Sequence, residues 1–175
     1  MLKISRESEI SLINVLIDHD IISGKDLPNI KKVSAEGKTS QIDAVFELKL
    51  TDENKILDVL VKEQNLEVVD LSKVQISGDV KAVLPSNYIN MNFVAPFKME
   101  CKTLHIAISD SSKLGLMRNL KAITKKNIEL HAAKVSQISE FIEKLLSESG
   151  DVTAATIRKE NKEKTKTFDS DLGDA

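Results

Sequence analysis

The apolar residues of this chain change period once, and that change constrains the fold more than any other feature. From Ser8 to Asn65 they fall at helical spacing: Ile10, Ile13 and Ile17 with Leu12 and Leu16, then Leu27, Ile30 and Val33, then Ile42, Val45 and Phe46, then Ile56, Leu57, Leu60 and Val61. Side chains so spaced share one face of an α-helix, which predicts a run of helices. The last of them is opened by Thr51-Asp52-Glu53, with a hydroxyl able to cap free N–H groups and acids suited to the helix's positive end.

Beyond Glu67 the pattern becomes one of alternation. Phe93, Ala95, Phe97, Met99 and Cys101 alternate with Val94, Pro96, Lys98 and Glu100, and Leu104, Ile106 and Ile108 alternate with His105, Ala107 and Ser109. Two half-buried strands are expected, joined into an antiparallel hairpin by a tight turn near Glu100 to Lys102. Pro96 cannot donate to a ladder, so its strand should lie at an edge or break locally. Ser112 to Thr124 reads as helix, with Leu116, Met117, Leu120 and Ile123 on one side. Ile128 to Ala133 reads as a strand, and Ser136 to Ser147 as a helix capped by Ser136 and buried through Ile138, Phe141, Ile142, Leu145 and Leu146. The expected fold is α/β of the α+β kind: a helical lobe over 1–65, then a lobe over 66–149 in which a sheet of about three strands carries helices on a face. Residues 150–175 are charged, lack apolar content and read as a linker.

Composition narrows the partners. A net charge of −2 over 175 residues gives no polyanion-binding signature, and the basic tail lacks interleaved aromatics, so nucleic acid is not an expected partner. The single Cys101 cannot form an internal disulfide, and no apolar run approaches the ~20 residues that cross a bilayer, so the chain reads as cytoplasmic.

Catalytic signals are weak. Gly37-Lys38-Thr39 has the end of a phosphate-binding loop, yet Lys32 stands where its first Gly belongs and the preceding segment reads as helix, so no phosphate cradle is expected. His19, His105 and His131 are too scattered in sequence to suggest a ligand set, and no metal or cofactor is expected. Cys101, alternating with Met99 and Phe97, reads as a small core residue with no base nearby. Asp70 and Asp110 each follow a strand and read as acceptors of backbone N–H groups, Asp110 at a helix entry. No catalytic residue is assigned.

One stretch carries a family likeness. Leu66-Glu67-Val68-Val69-Asp70-Leu71, then Val83-Leu84-Pro85, Val94-Ala95-Pro96-Phe97 and Leu104-His105-Ile106-Ala107-Ile108-Ser109-Asp110 resemble, in order and spacing, the N-terminal domain of the ATPases that power bacterial type II secretion and type IV pilus assembly. Ser111 stands where that pattern ends in Pro. The resemblance implies a non-catalytic docking and regulatory domain for protein transport, acting through protein–protein interaction. Its implied partners are the cytoplasmic part of an inner-membrane assembly protein, which holds it at that membrane, and an ATPase domain, hexameric in the parent protein, to which 150–175 would lead.

One branch of that family binds cyclic di-GMP through two copies of a motif running Arg-Leu-Gly, an apolar pair, Gly, an apolar residue, Leu and finally Gln. Aligned on this chain, the first copy has Ser11-Leu12-Ile13, keeps Leu16, Ile17, Ile22 and Leu27, and has Asp20 and Ser34 at the second Gly and the Gln. The second has Gln41-Ile42-Asp43, then Phe46, Leu50, Leu57, Leu60, Val61 and Gln64. The apolar skeleton is kept and the Arg and Gly residues are not. Cyclic di-GMP is therefore not the expected ligand, and sensing it is the alternative to docking. A docking face is expected on the helical lobe at Leu48 and Val59, the latter off its helix's apolar stripe beside Asp58, Lys62 and Glu63.

With no complete phosphate-binding loop, the isolated chain should hydrolyse no ATP and Lys38→Ala should leave nucleotide affinity unchanged. Turnover by purified protein that disappears on mutating Lys38 would overturn this reading.

Overall fold

Short polar side chains set where the N-terminal helices begin. Ser5 accepts a hydrogen bond from the Ser8 N–H and opens α1 (Arg6–Asp18), and Ser40 with Asp43 forms a reciprocal capping box on α3 (Gln41–Glu47). Between them, α2 (Leu27–Gly37) starts with Pro28 in its first turn and stops where Lys38 turns left-handed at φ 53°. The start of α4 (Glu53–Gln64) corrects the sequence reading. Asp52 caps it by accepting from the Lys55 N–H at 3.0 Å, while the buried Thr51 hydroxyl has no hydrogen-bond partner among the described residues.

This computed structural model describes residues 2–147; the charged stretch 150–175 lies outside the described residues. Two short helices, α5 (Gly78–Lys81) and α6 (Ser86–Asn92), lead into β1 (Ala95–Glu100) and β2 (Thr103–Ile108). A 3-10 turn and α7 (Met117–Thr124) cross to β3 (Asn127–Ala132), and α8 runs over 135–147. The described residues thus hold eight α-helices and a three-stranded sheet in the order β1-β2-β3, an α+β fold. No helix among them is long and apolar enough to cross a membrane.

The hairpin forms as its pattern predicts, with β1 antiparallel to β2, and β3 lies parallel to β2 in unbroken register from Thr103 opposite Asn127 to Ile108 opposite Ala132. A short parallel bridge, Val68 to Ala132, extends the sheet beyond β3. Pro96, on edge strand β1, sits where the register slips between Pro96 and Lys98. That slip explains why Ala95, Pro96 and Phe97 are all buried instead of alternating.

Several expected core positions are not core. The sequence pattern predicts half-buried strands, but every residue of β2 from Leu104 on is buried, because both faces of this central strand are covered. Cys101 is exposed, carried out of the strand by the turn at φ 55°. Ile10 and Ile123 are 50% and 44% exposed, being on the outer shoulders of their helices' apolar stripes. Ser136 does not cap its helix. It lies inside α8 and donates its N–H and hydroxyl to the two carboxylate oxygens of Glu53, at 2.7 and 2.9 Å.

That contact joins α4 to α8, so an acid from the helical part of the chain supplies the cap of a helix in the sheet part. The N-terminal strap adds to it: the Leu2 N–H donates to Asp43, the Lys3 N–H to the Ser139 hydroxyl at 2.9 Å, and the Lys3 ammonium pairs with Glu143 at 2.7 Å. One cluster of buried apolar side chains runs from Leu12 to Leu145. Helices and sheet share a core.

Glu53→Ala should cost about 1–2 kcal/mol in urea unfolding, the range for loss of a helix cap strengthened by charge. Glu143→Ala, which removes only an exposed ion pair, should cost under about 1 kcal/mol. Equal midpoints for the two variants would show that the Glu53 contact contributes nothing beyond surface pairing.

Candidate functional site

Parallel pairing of β2 with β3 places one polar side chain opposite another inside an apolar sheet. His105 lies in register with Glu129, and Ala107 with His131. Residues two apart on a strand share a face, so His105, Glu129 and His131 project together on the same side. The His105 Nδ1 and His131 Nε2 atoms are 3.0 Å apart. Glu129 turns one oxygen to each ring, 3.6 Å from His105 Nδ1 and 3.7 Å from His131 Nε2. The expectation that the histidines are too scattered to meet is therefore corrected for two of them. His19 stays apart on α1's exposed end, 2.5 Å from Glu63.

Phe97 covers this group. Its ring meets His131 edge-on at 5.2 Å and lies 6.1 Å from His105, and both histidines are only 9% exposed. Burial pushes the His131 imidazole below its usual pKa, opposed by the negative charge of Glu129. At the outer edge, Glu100 lies 3.7 Å from His105 Nε2 and pairs with Lys98 at 3.1 Å. Two imidazole nitrogens and a carboxylate, with all donor atoms within 4.8 Å of one another, are a ligand set for a metal ion. A sequence signal existed: each histidine occupies a position in an apolar alternation where a polar residue faces the sheet's second side. Only the parallel register revealed that the two coincide.

The other sequence candidates do structural work where the geometry can be read. Asp110 accepts from the Ser112 N–H at 3.1 Å and contacts the Ser112 hydroxyl, opening the 3-10 turn as expected. Asp70 accepts from the Ser72 N–H and hydroxyl, and the hydroxyl contact chiefly holds its carboxyl below the usual pKa. Gly37-Lys38-Thr39 ends α2, where backbone carbonyls rather than N–H groups face outward. The following N–H groups are already engaged, Asp43 by Ser40 and Gln41 by Glu9.

The positions aligned with a nucleotide motif are distributed between core and surface. Leu12 and Leu16 are fully buried, while Ile17, Gln41 and Gln64 are half-buried. Leu48 and Val59 are half-buried too. A cleft of about 700 Å³ opens between α3, α4 and the start of α8, lined by Phe46, Lys49, Leu50, Thr51, Lys55 and Lys134 among others, and neither Leu48 nor Val59 lines it. The large apolar side chains most exposed among the described residues are Met91, Val68, Ile10 and Ile123.

Residues 64–152 match the MshEN domain family. The chain is 24% identical over 136 residues to the type IV pilus assembly ATPase PilB of Myxococcus xanthus (strain DK1622), an alignment covering 78% of this chain. It spans only 24% of that relative's length. Among solved structures, MshE determined with cdg superposes with a TM-score of 0.51 at 21% identity, over 77% of this chain and 97% of that one. The N-terminal domain of XpsE superposes with a TM-score of 0.52 at 17% identity, over 80% of this chain and 96% of that one. At such identities the likeness is one of fold.

Exposure of Cys101 makes it a direct readout of the hairpin turn. A thiol reagent such as Ellman's should react with one equivalent of native protein without denaturant, and a thiol that reacts only on unfolding would return Cys101 to the core.

Proposed function

The chain belongs to the MshEN domain family, the N-terminal domain of type II secretion and type IV pilus assembly ATPases, and from that premise we propose that it is a non-catalytic docking and regulatory unit. In this reading it binds the cytoplasmic part of an inner-membrane assembly protein and so holds its parent ATPase, a hexamer, at the cytoplasmic face of that membrane.

The observation that carries the docking reading is how the N-terminal helices use the positions a nucleotide motif would need. Residues 8–64 contain no arginine to stack on a guanine face. Leu12 and Leu16 are committed to the core. Asp43, in place of a glycine, holds the Leu2 N–H on one side and the Ser40 N–H and hydroxyl on the other. What these helices leave over is half-buried apolar surface with a charged rim, including Leu48 and Val59, which suits a protein partner.

A second reading, sensing of cyclic di-GMP, has its own support in the fold shared with MshE, which was solved with cdg. The two separate by titration. Docking predicts no saturable heat with cyclic di-GMP and saturable binding to the partner's cytoplasmic domain. Leu48→Glu and Val59→Glu should weaken that partner binding at least about tenfold, a loss of ~1.4 kcal/mol, with the circular-dichroism melt nearly unchanged. Saturable cyclic di-GMP binding would favour the sensor, and unfolding by either substitution would place the residue in the core and the docking face elsewhere.

A further inference from the structure

We propose that His105, Glu129 and His131 form a binding site for one divalent transition-metal ion of the zinc class, seated on the sheet beneath Phe97. Two nitrogens bound to one tetrahedral zinc at about 2.0–2.1 Å each lie about 3.3–3.4 Å apart. Here the two imidazole nitrogens are 3.0 Å apart, one Glu129 oxygen lies 3.6 Å from His105 Nδ1 and its other oxygen 3.7 Å from His131 Nε2, and one donor atom from each residue can be taken with all three within 4.8 Å of one another. Closing that set on one ion needs rotation of the exposed Glu129 side chain and a small parting of the imidazoles.

The backbone presents these donors without assistance from a loop. Glu129 and His131 sit two apart on β3, and His105 is the in-register neighbour of Glu129 on β2. The two strands are hydrogen-bonded neighbours in unbroken register, so the ligand spacing is set by the strand repeat and the interstrand distance. Neutral imidazole is the form that ligates. With the ion on His105 Nδ1, the remaining proton belongs on His105 Nε2, which points toward Glu100 3.7 Å away. That distance is beyond a hydrogen bond, and a turn of the exposed Glu100 side chain would bring its carboxylate to where metal-bound histidines have their orienting partner.

The donor set also selects the ion. Two imidazoles and one carboxylate suit zinc, cobalt or nickel, whereas magnesium and calcium take oxygen donors. Glu129 is the outer ligand, with its side chain 53% exposed, and three protein donors leave a fourth position of a tetrahedral ion for water or another donor. This site lies on the sheet and does not rest on either reading of the N-terminal helices.

The test uses the full chain freed of metal by chelation. Zinc titrated by calorimetry should bind at one equivalent, raise the melting temperature until that equivalent is filled, and compete with cobalt, whose bound form should show ligand-field bands of tetrahedral intensity. Magnesium should do neither. His105→Ala and His131→Ala should each weaken zinc binding by more than the about 10–100-fold that loss of an outer-shell partner costs, and Glu129→Gln by at least about tenfold. His19→Ala should change nothing. No saturable binding, or binding unchanged in Glu129→Gln, would overturn the proposal. Because Glu129 is exposed and its replacement nearly isosteric, that variant decides the matter even if the histidine variants unfold.

Discussion

Strand β2 has no solvent face: from Leu104 through Asp110 every side chain is buried, so each polar group there must find its partner inside the protein. The backbone is satisfied by β1 on one side and β3 on the other. His105 meets His131 across the β2–β3 pair, the Ser109 hydroxyl contacts Asp110, and Asp110 opens the next turn through Ser112. A buried strand thus dictates both neighbours and the connection after it. Parallel pairing with β3 requires a crossover, which the 3-10 turn and α7 supply.

Carboxylates do the long-range joining. Glu53 caps α8 from α4, Asp43 holds the Leu2 N–H, and Glu9 accepts from the Gln41 N–H. Each ties backbone N–H groups left free by secondary structure to an acid distant in sequence. Lys113 shows the less favourable case. Among the described residues its buried ammonium makes no hydrogen bond and pairs with Glu7 at 3.7 Å, longer than the charge-assisted contacts above. The helical part and the sheet therefore share one packed core.

The exposed apolar side chains are dispersed over α1, α6, α7 and the strand-like segment at Val68, and do not lie on one element. The cleft beside α4 mixes Lys49, Lys55 and Lys134 with Asp43, Asp52 and Glu53, a balanced lining that suits another protein's polar rim more than a bare polyanion. The histidine pair stands apart from both, on a face of the sheet reached past Glu129 and Glu100.

The sequence by itself determined the order and type of most elements, because apolar periodicity is a local property: helical spacing to Asn65, alternation in the hairpin, helical spacing again near the end; the short helices α5 and α6 are too brief to show a period and were not legible in it. It also determined the breaks at Pro96 and the roles of Asp70 and Asp110, which follow from a missing N–H and from short side chains beside free N–H groups. Tertiary structure alone decided which positions are core. Cys101 and Ile123 left it and His105 and Ala107 entered it, because burial depends on what covers each face, which no local pattern records. It alone decided that Glu53, and not Ser136, caps the last helix, since that donor–acceptor pair is 83 residues apart in sequence. The meeting of His105 with His131 has the same origin: it exists only in a parallel register, and the register is set by which buried faces must coincide.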